Sequence, residues 1–181
     1  MKHKMEEKIE IPEGISCSYS SGVLSCKKDS KEYHRRITIP GASLKVENNS
    51  IILSCLKGNK SHNNKIKSSV AHIKNMFSGL QEEFVYKLEA ANVHFPMTLK
   101  VDSGFLIITN FLGEKFPRKA KILHSVDVEV KGNLITISSH DKESAGQTAA
   151  NIERATKVRD RDRRVFQDGC YIVERPGGKA Q

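Results

Sequence analysis

The two halves of this 181-residue chain repeat each other at a constant shift of 82 positions. Gly22 matches Gly104, Arg36 matches Arg118, Leu44 matches Val126 and Val46 matches Val128. Ile52 matches Leu134, and Leu53 matches Ile135. An offset that preserves turns and strand parity together requires each copy to be one supersecondary unit built the same way. The predicted fold class is α+β. It has two tandem duplicated units, each a small antiparallel β-sheet covered on one face by one α-helix, followed by a basic C-terminal extension. The expected boundaries are 1–82, 83–158 and 159–181. Each unit is small enough that burial alone stabilises it only marginally.

In the first unit, short alternating runs predict strands at 9–12, 15–19, 22–27, 33–39, 44–46 and 51–56. Glu13-Gly14, Asp29-Ser30, Pro40-Gly41 and Asn48-Asn49 separate them as turns. Residues 57–64 are polar and basic and read as a surface loop. The period then changes: Ile66, Val70, Ile73, Phe77 and Leu80 fall on one helical face, and Gly79 marks the helix end. In the second unit the strands fall at 84–91, 97–101, 105–109, 118–122, 126–130 and 134–138. A helix from about Asp141 to Val158 follows, with Asp141 as its N-cap. On this reading the two helices are offset from each other by the longer loop of the first half.

The stretch 147–171, QTAANIERATKVRDRDRRVFQDGCY, joins three kinds of sequence. Ala145, Ala149, Ile152 and Ala155 give a narrow apolar helix face. Residues 157–164 then carry five cations and two carboxylates. Two short apolar runs flank Asp168-Gly169, which predicts a hairpin tying the cationic arm back. In the arm, Asp160 and Asp162 interleave with Arg159, Arg161 and Arg163. Two readings stand: a salt-bridged solvated face, or arginine rotamers fixed in advance of a polyanion. Pro176-Gly177-Gly178-Lys179 reads as an irregular tail.

The formal net charge is +9, unevenly placed. Residues 57–74 hold Lys57, Lys60, Lys65, Lys67 and Lys74 with no acid between them. Uneven basic charge suits nucleic acid or an anionic surface, but a charge run taken by itself is more simply read as serving solubility alone. No apolar run is long enough to span a bilayer, and Met1 to Lys8 lacks the apolar block of a signal peptide. Cys17, Cys26, Cys55 and Cys170 read as small hydrophobes in a reducing compartment, which suggests the cytosol.

Catalytic and metal chemistry find no foothold. Cysteine spacing gives no paired-ligand motif, and the histidines are dispersed. Ser139-His140-Asp141 has triad residue types, but a triad converges in space rather than along the chain. No cofactor, small-molecule substrate or enzymatic activity is expected. In the loop 110–117, Phe111 and Phe116 flank Gly113, suited either to stacking on bases or to anchoring the loop in the core. On a strand, Lys119 and Lys121 share one face and Arg118 the other.

Several segments resemble the large-subunit ribosomal protein L6 family in its archaeal and eukaryotic branch. They are HIKNMFSG at 72–79, VHFP at 93–96, NFLGEKFPRKAKI at 110–122, QTAANIERATKV at 147–158 and DRDRRVFQDGCY at 160–171. The resemblance implies a structural constituent of the large subunit of the cytosolic ribosome. Its implied partners are large-subunit rRNA and neighbouring ribosomal proteins, near the stalk base and the sarcin–ricin loop where elongation factors dock. The alternative is an RNA-binding regulator free of the ribosome. In the family the second unit and the C-terminal extension supply most RNA contact. Carried over, this nominates Lys115, Arg118, Lys119, Arg154, Lys157, Arg159, Arg161, Arg163, Arg164 and Lys179. Phe166, Asp168, Gly169 and Tyr171 would shape the hairpin that anchors the arm.

Overall fold

The structure is a computed structural model that describes residues 3–29, 31–47 and 49–179; the side chains of His3, Lys57, Gly178 and Lys179 lie outside the description. Ser30 and Asn48, assigned above to turns, also lie outside the described residues. The chain divides into two compact units, Met1–Glu82 and Glu83–Gln181.

The first unit runs β1 (His3–Glu10), β2 (Ser16–Ser20), β3 (Val23–Lys28), β4 (Lys31–Arg36), β5 (Ser43–Glu47), β6 (Ser50–Gly58) and α1 (Lys60–Gln81). It holds two three-stranded antiparallel sheets, ordered β1-β6-β5 and β2-β3-β4. The second unit runs β7 (Phe84–Ala91), β8 (Thr98–Asp102), β9 (Phe105–Thr109), a single 3-10 turn at Phe111–Gly113, β10 (Arg118–Lys121), β11 (Asp127–Lys131), β12 (Leu134–Ser139), α2 (Lys142–Ala155), β13 (Gly169–Arg175) and β14 (Gly178–Lys179). Its sheets are ordered β10-β9-β8 and β11-β12-β7-β13-β14. The second unit thus repeats the first and adds two strands beyond β7. Each unit carries two small sheets rather than one.

The repeat is closer than the sequence reading allowed. The N-caps Asn59 and Asp141 stand 82 positions apart, so the helices start in step. Asn59 accepts from the His62 N–H at 3.0 Å, and Asp141 accepts from the Glu143 N–H at 3.0 Å. The segment 57–64 is therefore not a loop: β6 runs to Gly58 and α1 begins at Lys60. Its first turns carry no apolar period because they project past the core, which the helix first reaches at Ile66. Gly79 lies on the buried side within the helix instead of ending it.

The hairpins β2–β3 and β8–β9 close through Ser21-Gly22 and Ser103-Gly104, with all four φ angles between 48° and 80°. Positive φ at both central residues matches the right-handed twist of the flanking strands. Burial repeats as well. Leu24 and Leu106, Cys26 and Ile108, Leu53 and Ile135, and Cys55 and Ile137 are all buried in their own cores.

Two expectations about the C-terminal residues fail. Asp168-Gly169 makes no hairpin: Asp168 is buried, and Gly169 opens β13, which pairs antiparallel with β7. The hairpin lies later, where Pro176-Gly177 turns β13 into β14. Proline fixes the first central φ there, and Gly177 supplies φ 93° at the second. The stretch read as an irregular tail is thus this turn and strand.

Candidate nucleic-acid interface

The candidate interface is built at the C-terminal end of α2. Asp141 caps the helix start, Glu143 lies in its first turn and Arg154 in its last, in line with the helix dipole. Ala145, Thr148, Ala149 and Ile152 are buried. Small side chains let the helix lie close on the sheet, and at Gly146 a Cβ would come within 3.0 Å of the Tyr86 hydroxyl. Beyond Ala155 the chain leaves as the arm 157–168 and returns as β13. Its ends are joined: the Cys170 N–H donates to Thr156 Oγ1 at 2.9 Å, and both residues are buried. Burial pushes the Cys170 thiol up to about 11, against the hydrogen bond with Thr156. Val158 is buried in the core and Phe166 packs against it, so the arm is pinned along its length.

A second anchor holds the far side. Asp168 Oδ1 accepts from the N–H groups of Val93 and His94 at 2.9 and 3.0 Å, and Asp168 Oδ2 lies 2.6 Å from His94 Nδ1. Burial alone would raise the Asp168 pKa. The His94 and Val93 donors outweigh it and hold the carboxyl below the usual aspartate value. The His94 ring stacks on Phe166 at 4.9 Å between centroids, and the Arg161 guanidinium lies 4.8 Å over the other ring. Within the arm, Asp162 accepts from the Arg164 backbone N–H at 2.9 Å and pairs with the Arg164 guanidinium at 2.9 Å. These bonds, led by the Arg164 side chain, hold the Asp162 carboxyl below its usual range. The Asp162 carbonyl accepts from Phe166, closing one turn.

These anchors present cations around Arg154. A cavity of about 670 Å³ is lined by Arg154, Lys157, Val158, Arg159, Asp160, Arg161 and Arg163. A second, of about 380 Å³, shares Arg154, Lys157 and Arg163 and reaches inward to Phe166 and Cys170. A third brings Arg118, Lys119 and Arg159 to Arg154 from the β10 side. Six nominated residues, Lys119, Arg154, Lys157, Arg159, Arg161 and Arg163, therefore converge as an open basic concavity. Lys121 is exposed two residues along β10 from Lys119. Five cations against one carboxylate in the largest of these three hollows suit a segment of phosphate backbone.

Four nominated residues stand differently. Arg118 is engaged inside the protein. Its Nε donates to Glu114 Oε2 at 2.8 Å, and its Nη1 donates to the carbonyls of Ala155 at 2.8 Å and Lys157 at 3.3 Å. Its guanidinium also lies 4.2 Å over the Phe111 ring. Arg118 thus clamps the 110–117 loop to the end of α2, and its hydrogen bonds hold the Glu114 carboxyl below the usual range. Arg164 is exposed but paired with Asp162. Lys115 is exposed in the loop and is not among the residues lining the three cavities. The Lys179 side chain lies outside the described residues. The two phenylalanines of the loop divide the readings between them: Phe111 is buried and anchors, whereas Phe116 is 85% exposed.

Sequence reasoning missed His94 and gave Asp168 the wrong task. Their pairing spans 74 positions, and no spacing rule reaches that far. The one signal was the acid itself, set between the apolar runs that become the arm's end and β13.

The sequence profile of the family described as Ribosomal protein L6 matches residues 95–169. The chain is 42% identical to the large ribosomal subunit protein uL6 of Methanococcus vannielii, across 96% of this chain and 95% of that protein. The chain belongs to the ribosomal protein L6 family. Two further uL6 relatives agree. That of Methanobrevibacter smithii is 40% identical over 94% of this chain and 96% of its own length. That of Methanosarcina mazei is 41% identical over 97% and 99%. The L6 profile takes in the 110–122 loop and the whole cationic arm, the two segments that meet at Arg154.

Proposed function

We propose that this L6-family chain is a structural constituent of the large ribosomal subunit of the cytosolic ribosome. It binds large-subunit rRNA near the stalk base and the sarcin–ricin loop, beside neighbouring ribosomal proteins and close to where elongation factors dock. The observation that carries this reading is the convergence of the arm, the end of α2 and the edge strand β10 on Arg154, which makes one basic hollow from three segments. The relatives' names as large-subunit proteins support it. The chemistry is scaffolding. Fixed cations displace counterions from crowded phosphates, and no bond is made or broken. Arg159, Arg161, Arg163, Lys157, Arg154 and Lys119 meet phosphate, while Arg118 holds the surface in shape.

The test is sedimentation of cell extract through moderate salt. Nearly all of the protein should travel with large subunits. A predominant pool free of ribosomes would overturn the reading and favour a free RNA-binding regulator.

A further inference from the structure

The outer face of α1, in the first unit, is a second charged surface. Lys60, Asn64, Lys67, Ala71, Lys74 and Ser78 are all exposed and recur at alternating steps of four and three. Such residues stack along one side of a helix. The three lysines stand seven residues apart, which is about 10.5 Å of helix rise between neighbours and about 21 Å end to end. A seven-residue step drifts only about 20° around the axis, so the lysines form one row. Asn64 and Ala71 stand between them and Ser78 beyond Lys74, all short. The lysine stems therefore project clear of the surface around them. None of Lys60, Lys67 and Lys74 forms an ion pair with a described residue.

Helix stability does not account for this face. The 22 residues of α1 contain no acid at all, and its first turn opens on Lys60 with no basic residue in its last turn. Cations at the start and none at the end oppose the helix dipole, and no acid supports them at i, i+4. The repeat supplies the control. At the position equivalent to Lys60, α2 also opens on a lysine, Lys142, but Glu143 follows it in the first turn and Arg154 stands in the last, so α2 mixes both signs where α1 does not. One of two copies of the same unit thus departs from the arrangement that stabilises a helix. Departures of this kind gather at functional surfaces.

We infer that the α1 face is a binding surface for double-helical RNA, engaging phosphates through Lys60, Lys67 and Lys74. A straight row of cations suits the regular backbone of a duplex, which proteins recognise by shape, phosphates and 2′-hydroxyls. A single strand would call for aromatic platforms, and the exposed row holds none.

This inference rests on the ribosomal reading for its setting but not for its chemistry, so two measurements separate them. In the first, the full-length protein binds a short mixed-sequence RNA duplex across a salt series. The variant Lys60→Gln/Lys67→Gln/Lys74→Gln should flatten the log–log salt dependence by roughly 0.7–0.9 per lost contact. An unchanged slope overturns the inference. In the second, a hydroxyl-radical source is tethered at Ala71→Cys or at Arg161→Cys in protein assembled into large subunits. Unsubstituted protein treated alike gives the background. Cuts in paired rRNA from Ala71→Cys support the α1 face. Cuts from Arg161→Cys alone, or Ala71→Cys radicals that mark an acidic protein and no rRNA, overturn it and leave the Arg154 hollow standing. Cuts from neither site overturn both readings.

Discussion

Asp168 and His94, 74 positions apart in sequence, are joined twice: the carboxylate accepts the His94 backbone N–H at 3.0 Å and lies 2.6 Å from the ring Nδ1. This pairing fixes where the arm ends and β13 begins. The Asp168 carboxyl is held below its usual value, so its contribution to stability is present above the ordinary aspartate range. That contribution is lost as pH falls through the lowered folded value. Asp168→Asn should lower stability near neutral pH by about 2–3 kcal/mol. The gap between variant and parent in urea unfolding should close in strong acid. Equal stability at pH 7 would remove Asp168 as an anchor.

Arg118 is expected to act through shape rather than through contact with RNA. Lysine cannot reproduce a fork that holds Glu114 on one side and two carbonyls on the other. Arg118→Lys should cost about 1–2 kcal/mol of stability, read by thermal or urea unfolding. The salt dependence of RNA binding should stay as it was. A slope that drops by a full contact would place Arg118 on the phosphates instead.

The hollow around Arg154 makes the opposite prediction. Arg154→Ala, Lys157→Ala and Arg163→Ala should each flatten the salt dependence by roughly 0.7–0.9 log units, with little effect on folding because all three side chains are exposed. Arg164→Ala should change it less, since Asp162 already neutralises that guanidinium. Four equal effects would mean that the Asp162 pairing gives way on binding.

The Thr156 hydroxyl joins the two ends of the arm. Thr156→Val keeps the shape but leaves the buried Cys170 N–H without its acceptor, at a cost of about 1–3 kcal/mol. Hydrogen exchange over 157–168 should quicken more than over α2. Unchanged protection across the arm would show that Val158 and Phe166 suffice to hold it.

The repeated turns offer a matched pair. Gly22 and Gly104 have φ near 80°, where a Cβ costs about 1–2 kcal/mol. Gly104→Ala adds nothing further, because no atom lies within 4 Å of the new Cβ. Gly22→Ala meets Thr38 Oγ1 at 3.1 Å and should lose more. Parallel thermal unfolding of the two variants would reveal the difference, and a reversed order would refute it.

Much of this molecule was legible in its residues. The shift of 82 showed the duplication because turns and strand parity depend on local chemistry. Asp141 was readable as a cap for the same reason. Asn59 was not, because the residues after it show no apolar period: α1 begins before it meets the core. The Asp168-Gly169 pair misled because its turn propensity is weaker than the pull of three donors on a buried carboxylate. At the hollow, residue type nominated Lys119, Arg154 and the cations of the arm, and the fold brings them together. Residue type did not show that the donors of Arg118 are already engaged by Glu114, Ala155 and Lys157.

The place of β13 in the sheet sets an order of events during synthesis. The first unit needs nothing beyond Gln81 to complete its elements, and domains made first tend to fold first. The second cannot close until residues 169–175 have emerged to pair with β7. Before then neither Cys170 nor Gly169 is available to fasten the arm. The basic hollow therefore takes shape last, and a nascent chain stalled short of Asp168 would carry its arginines on a loose tether with no fixed hollow between them.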